Sequence, residues 1–254
     1  MFNPDIDRIK KIAGINPSSI KQLEDLLKGN VNVYIDYANV RPWAVKLSWN
    51  IDLKRLKQFL TSFDNLQSIN IYDGTLEGDD KSEESSAEKK LVFREGFKTK
   101  PVKIMKHSID YTSIKSTATD LLEQFIRRCL IRKYDIDTIE YLNTKFKDMN
   151  DKGQFFIEDR KCNFYVEIGV DMLMDFERND VDTFILWSGD SDFYDPIKTL
   201  LEKGKNVVLF ATARRVSTEL NSLQKDDLFI FDIQKIRNFI CWKSQIQKEV
   251  IKVI

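Results

Sequence analysis

The stretch VNVYIDYANV, residues 31–40, sets Val31, Val33 and Ile35 in a short β-rich run that ends at Asp36. A helix pattern follows from about Asp52, with Leu53, Leu56, Phe59, Leu60 and Phe63 at the three-and-four spacing of a buried stripe. The rhythm returns downstream as a helix at 168–178, strand TFILW at 183–187, a helix at 196–203, strand NVVLF at 206–210 and strand LFIFDI at 228–233. Strands alternating with helices require right-handed crossovers, so the fold class is α/β with a mostly parallel central sheet and ligand sites at the carboxyl ends of its strands. Asp36 and Asn39 therefore stand where a ligand crevice is expected, although both residue types also form turns and caps.

Outward from this core, residues 1–29 read as two short helices, an arm laid on the main domain. The second is started by Ser19 with Gln22 in capping-box spacing and stopped by Gly29. SINIYDG reads as a second strand closing on an Asp-Gly turn, DDKSEESSAEKK as a solvated loop or exposed helix start, and LVFREGF with KPVKIMKH as the lead into a third strand. Residues 112–150 turn helical and read as an insertion, after which QFFIEDRKCNFYVEI resembles a β-hairpin turning near Asp159 and Arg160. The expected organisation is an arm over 1–29, a main domain over 30–235 carrying the insertion, and a helical tail over 236–254.

Composition removes several classes of chemistry. A chain of 254 residues with 42% apolar content can fill a real core. Lys plus Arg equals Asp plus Glu at 40 each, so the whole-molecule field does not steer polyanions and nucleic-acid contact would need a local basic patch. Cys129, Cys162 and Cys241 are odd in number and widely spaced, which fits a reducing compartment and argues against a disulfide framework or structural zinc. No apolar run approaches the ~18 residues of a membrane span, and charges occupy the start where a secretory segment would be apolar. A cytoplasmic protein without a membrane partner is expected. The single histidine, His107, rules out a two-histidine acid–base pair and an H-E-x-x-H zinc site, so hydrolysis would lean on carboxylates and metal-bound water.

Two further clusters are acidic. In WSGDSDFYDP, Asp190 and Asp192 follow the apolar strand TFILW, and Gly189 allows close backbone approach. Carboxylates this close repel by ~4 kcal/mol at 4 Å and an effective dielectric near 20, and a hard cation such as Mg²⁺ relieves them. Asp195 precedes Pro196 and is assigned to capping. In VEIGVDMLMD, helical steps align Glu167, Asp171 and Asp175 as one acidic stripe, with Val170, Met172, Leu173 and Phe176 opposite. On its own such a stripe faces water. Beside the other two clusters it becomes a third source of ligands.

YIDYANV, EIGVDMLMD and FILWSGDSDF with the following KTLLEKGKNVVLF resemble, in order, the signature segments of the NYN domain, a branch of the PIN-like nuclease superfamily. The resemblance covers about residues 31–110 and 155–235 and implies a three-layer PIN-like (Rossmannoid) domain. It implies that Asp36, Asp171, Asp190 and Asp192 hold Mg²⁺ or Mn²⁺, with Asn39 as polar companion, in an endoribonuclease acting on single-stranded RNA. Many members carry a lysine where this chain has Ile168, so the role of that lysine is either missing here or supplied by Arg160 or Lys161. Asp175 and Glu167 are second choices as outer ligands or general base. Basic residues expected to meet the substrate are Arg41, Lys46, Arg160, Lys161, Arg214 and Arg215, with Lys98, Lys100, Lys103 and Lys106 along the third strand and Trp43 and Trp49 as stacking platforms. The alternatives are a catalytically weak RNA-binding or protein-interaction module, with a homodimer or partner held through the arm or insertion, and another phosphotransfer enzyme such as a phosphatase.

Overall fold

The structure, a computed structural model, describes residues 1–109, 136–178, 180–212 and 215–253. Its main sheet has six strands in the order β3-β2-β1-β6-β7-β8. These are β1 Val31–Asp36, β2 Leu66–Thr75, β3 Phe97–Pro101, β6 Thr183–Trp187, β7 Asn206–Ala211 and β8 Phe229–Asp232, and every neighbouring pair is parallel. Helices flank the sheet, as an α/β chain requires. β1 and β6 are buried at every residue, which is why both read as nearly continuous apolar runs. From β1 the chain winds outward through β2 and β3, returns to the other side of β1 as β6, and winds outward again. The reversal between β1 and β6 opens a crevice at their carboxyl ends.

The N-terminal helices Asp7–Ile15 and Pro17–Leu26 contribute Ile9, Ile12 and Leu23, all fully buried, to the same hydrophobic core as the sheet. The second starts at Pro17 with Asn16 as its N-cap, not at Ser19, because proline in the first turn loses no helical hydrogen bond. At the other end Phe239, Ile240 and Cys241 are fully buried, while Asp52 N donates to Ile240 O at 2.8 Å and Trp242 N to Asn50 O at 3.1 Å. Both extensions thus belong to one unit made of Met1–Pro101 and Cys162–Ile254.

The second unit is Val102–Lys161. Its described part is an antiparallel pair, β4 Lys103–Ser108 with β5 Phe156–Lys161, and a helix Ile136–Asp151. The expected hairpin near Asp159 and Arg160 does not form. Those residues lie mid-strand opposite Met105 and Ile104, because β5 takes its partner from before the insertion. The inserted unit is therefore wider than residues 112–150, and the part of that reading at 112–135, with Cys129, lies outside the described residues.

One other local reading changes, and one is decided between its two alternatives. β2 runs straight through Asp73 and Gly74, which pair with Thr99 and Lys100 of β3 in place of turning. The polar stretch after it is a full helix, Asp80–Phe93, started by Asp79, whose side chain accepts from Ser82 N at 2.8 Å.

Candidate functional site

Asp36 is the last residue of β1 and only 8% exposed, and the chain leaves it into the helical turn Tyr37–Val40. One carboxylate oxygen accepts from Asn39 N at 3.4 Å and the other from Ser188 Oγ at 3.3 Å. Ser188 Oγ in turn accepts from Asp190 N at 3.3 Å, and Asn39 Oδ1 accepts from Gly189 N at 3.3 Å. These bonds tie the loop after β1 to the loop after β6 across the crevice. Asp190 also caps the short turn Ser191–Phe193 by accepting from Asp192 N at 3.3 Å, and Asp192 itself is exposed. Gly189 is required by close approach, since a Cβ there would lie 1.6 Å from the Arg215 carbonyl oxygen. Ser217 N fastens the same loop by donating to Gly189 O at 3.0 Å.

Burial pushes the Asp36 carboxyl up to about 6 from its ordinary 3.8, and the negative charges of Asp190 and Asp73 push the same way against the bonds from Asn39 and Ser188. Burial and the like charge of Asp190 thus both disfavour the ionised form of Asp36.

The acidic stripe of the helix Tyr165–Arg178 turns inward, resolving the choice that its pattern left open. Asp36, Tyr72 and Lys98 are register partners in one row across β1, β2 and β3. Over that row, Asp171 Oδ2 accepts from Tyr72 Oη at 2.6 Å and from Lys98 Nζ at 2.5 Å. One turn towards the helix start, Glu167 is paired with Lys100; one turn the other way, Asp175 Oδ2 accepts from Tyr34 Oη at 2.5 Å and Asn32 Nδ2 at 2.8 Å. Burial, then the bond to a carboxylate, pushes both tyrosine hydroxyls well above their ordinary range. Donors on the sheet make the inward stripe tolerable, while Ile168 and Met172 between the acids are fully buried. Val170, expected on the apolar side, is 52% exposed.

Sequence reasoning missed Asp73 and Lys89. They form a buried ion pair at 3.0 Å, and Lys89 Nζ also donates to Ser85 Oγ at 2.6 Å. The Asp-Gly pair masked the first as a turn, and the polar helix masked the second; neither carries a periodicity signal.

The expected four-fold convergence narrows. Among the described residues no group of three or more His, Cys, Asp or Glu side chains gathers closely enough to hold an ion. Asp36 and Asp190 are linked through Ser188, whereas Asp171 is engaged by Lys98 and Tyr72. Two carboxylates fit a hard, largely hydrated ion, since Mg²⁺ is commonly held by one or two carboxylates and keeps several waters.

Other expected residues fall elsewhere. Asp195 is not a cap, because the helix Tyr194–Glu202 begins before it and Asp195 sits in the first turn. Trp43 and Trp49 are 2% and 1% exposed, so they are core aromatics and not stacking platforms. Arg160, Lys161, Lys103 and Lys106 belong to the second unit, and Lys98 and Lys100 are the lysines that meet the acidic helix. Arg41, Lys46 and Arg215 are exposed, and Arg214 lies outside the described residues. A cleft of about 430 Å³ adjoins the acidic pair, with Asn39, Pro42, Trp43, Asp190, Arg215 and Val216 among its walls.

No curated protein matches the chain. Among solved structures, a protein of unknown function from Vibrio parahaemolyticus is similar at 16% identity and a TM-score of 0.47, over 85% of this chain and 98% of that one. The family model described as the NYN domain matches residues 30–234, from β1 through β8 and across all three acidic segments. The chain belongs to the NYN domain family of PIN-like nucleases.

Proposed function

We propose that this chain is a metal-dependent endoribonuclease that hydrolyses phosphodiester bonds of single-stranded RNA. The observation that carries the reading is the position of Asp36 at the end of β1 and of Asp190 in the loop after β6, at the β1/β6 switch point and joined through Ser188. Asp36 and Asp190 would hold Mg²⁺ or Mn²⁺, with Asp192 and Asp171 reached through water. When bound, such an ion lowers the pKa of a water nucleophile and offsets charge on the phosphoryl oxygens. Asn39 fixes the relation of the two loops through its bond with Gly189 N. Lys98 and Lys100, partly exposed at the edge strand, offset the acids of the helix and offer cations along a route for a phosphate backbone.

The reaction needs no histidine, in keeping with a chain that has one. The two described cysteines are free thiols, which suits a reducing cytoplasm. No helix among the described residues is long and apolar enough to cross a membrane. A second reading, an RNA-binding module of weak turnover, draws on the engagement of Asp171 by Lys98.

Cleavage of labelled single-stranded RNA and DNA with Mg²⁺ or Mn²⁺, comparing the wild type with Asp190→Asn, separates the readings. Metal-dependent cutting of RNA that falls on the order of 100-fold in the variant is expected. Binding without cutting, or cutting unchanged in the variant, would overturn the nuclease.

A further inference from the structure

We infer that the cleft beside Asp190 is a nucleotide subsite, seating one unstacked RNA base next to the phosphate that is cut and so making base identity there a determinant of cleavage position. The inference rests on the nuclease reading, because Asp190 both lines the cleft and belongs to the pair with Asp36. A ligand filling the cleft thereby places its backbone at the acidic pair.

The walls suit a base better than a bare anion. Pro42 and Val216 give apolar surface for a ring, with Trp43 buried behind them, while Ser191, Ser217 and Asn39 give hydroxyl and amide groups for its edge. Asn39 spends its carbonyl oxygen on Gly189 N, which assigns its amide nitrogen to donation. Arg215 brings a planar cation that stacks on bases as well as pairing with phosphate. With Trp43 only 2% exposed, recognition falls to the edge-reading groups and Arg215. About 430 Å³ lies within the roughly 300–1,000 Å³ of small-molecule sites.

The cleft is also preformed. Gly189 presses on the Arg215 carbonyl, and Ser217 N bonds to Gly189 O, so the walls contributed by the loops after β6 and β7 hold each other in place. A rigid seat loses little entropy on binding and can discriminate between bases. A net carboxylate charge nearby would repel phosphate alone, and the polar groups for a base edge, with Pro42 and Val216 beside them, supply affinity that phosphate lacks.

The test uses the full chain in EDTA, titrated by NMR with each ribonucleoside 5′-monophosphate and with inorganic phosphate. At least one nucleotide is expected to bind about ten-fold or more tighter than phosphate, and Ser191→Phe, which fills the cleft, to lower that affinity about ten-fold. Arg215→Gln provides a second variant that leaves the cleft open, expected to weaken nucleotide binding several-fold. Among cut sites in random-sequence RNA, a base bias beside the cut is expected and should disappear in Ser191→Phe. Nucleotides binding no tighter than phosphate, or equal binding by the filled and open clefts, would overturn the subsite. Since these titrations need no turnover, the nuclease reading can fail in the Asp190→Asn assay while nucleotide binding survives.

Discussion

Replacing Asp36 by Asn should make the protein more stable near neutral pH while removing its activity. The folded carboxyl titrates at about 6 and the ordinary value is 3.8. A raised carboxyl contributes stability that is fully present below about pH 4 and is lost as pH rises through about 6. At about 1.4 kcal/mol per pH unit, the gap makes the ionised Asp36 unfavourable by roughly 3 kcal/mol at pH 7.5. Asn carries no charge at any of these pH values. It keeps one acceptor for the bonds from Asn39 and Ser188, and losing the other costs about 1 kcal/mol. The net expectation is a gain of about 2 kcal/mol at pH 7.5 and a loss of about 1 kcal/mol at pH 4. Urea unfolding followed by circular dichroism, in EDTA at both pH values, measures the difference. A variant no more stable than wild type at pH 7.5, or a difference equal at the two pH values, would refute the claim that Asp36 is held ionised against burial and like charge. The expected pattern is that of a functional site whose charge costs stability in the metal-free protein.

Lys89→Met should destabilise the protein by about 3–5 kcal/mol, because it leaves Asp73 buried without its cation, and adding Asp73→Asn should recover much of the loss; urea midpoints for the single and double variants check this. Gly189→Ala should cost about 3 kcal/mol and disable the site with every aspartate intact, because its Cβ meets the Arg215 carbonyl at 1.6 Å; thermal melting together with the RNA cleavage assay would detect both effects, and a fully active, equally stable variant would contradict the packing.

The parts of the molecule that were legible in the sequence are those where one physical requirement dominates. β1 and β6 are buried on both faces, so their apolar runs stand out, with Asp36 as the last residue of one and Asp190 just after the other, as the strand-end rule expects. Asp171 shows the limit of pattern. Its helix carries an acidic stripe whether it faces water or the sheet, and the outcome depends on Tyr34, Tyr72, Lys98 and Lys100, which come from other strands far along the chain. Lys98 and Lys100 were visible as basic residues of the third strand, but their partners were not. Asp73 and Lys89 hid for a related reason: each sits in a locally polar segment, and only tertiary packing buries them together. The antiparallel pairing of β4 with β5 joins strands on either side of an insertion, which local turn signals cannot reveal.

Asp36 and Asp190 are proposed to hold a divalent ion together at the β1/β6 crevice. Titrating the protein with Mn²⁺ and following free ion by electron paramagnetic resonance tests it without substrate. Saturable binding is expected for the wild type, weakened about ten-fold or more in Asp36→Asn and in Asp190→Asn and unchanged in Asp195→Asn, whose side chain lies exposed in the first turn of the next helix. Equal Mn²⁺ binding by all four proteins, or none by the wild type, would contradict it.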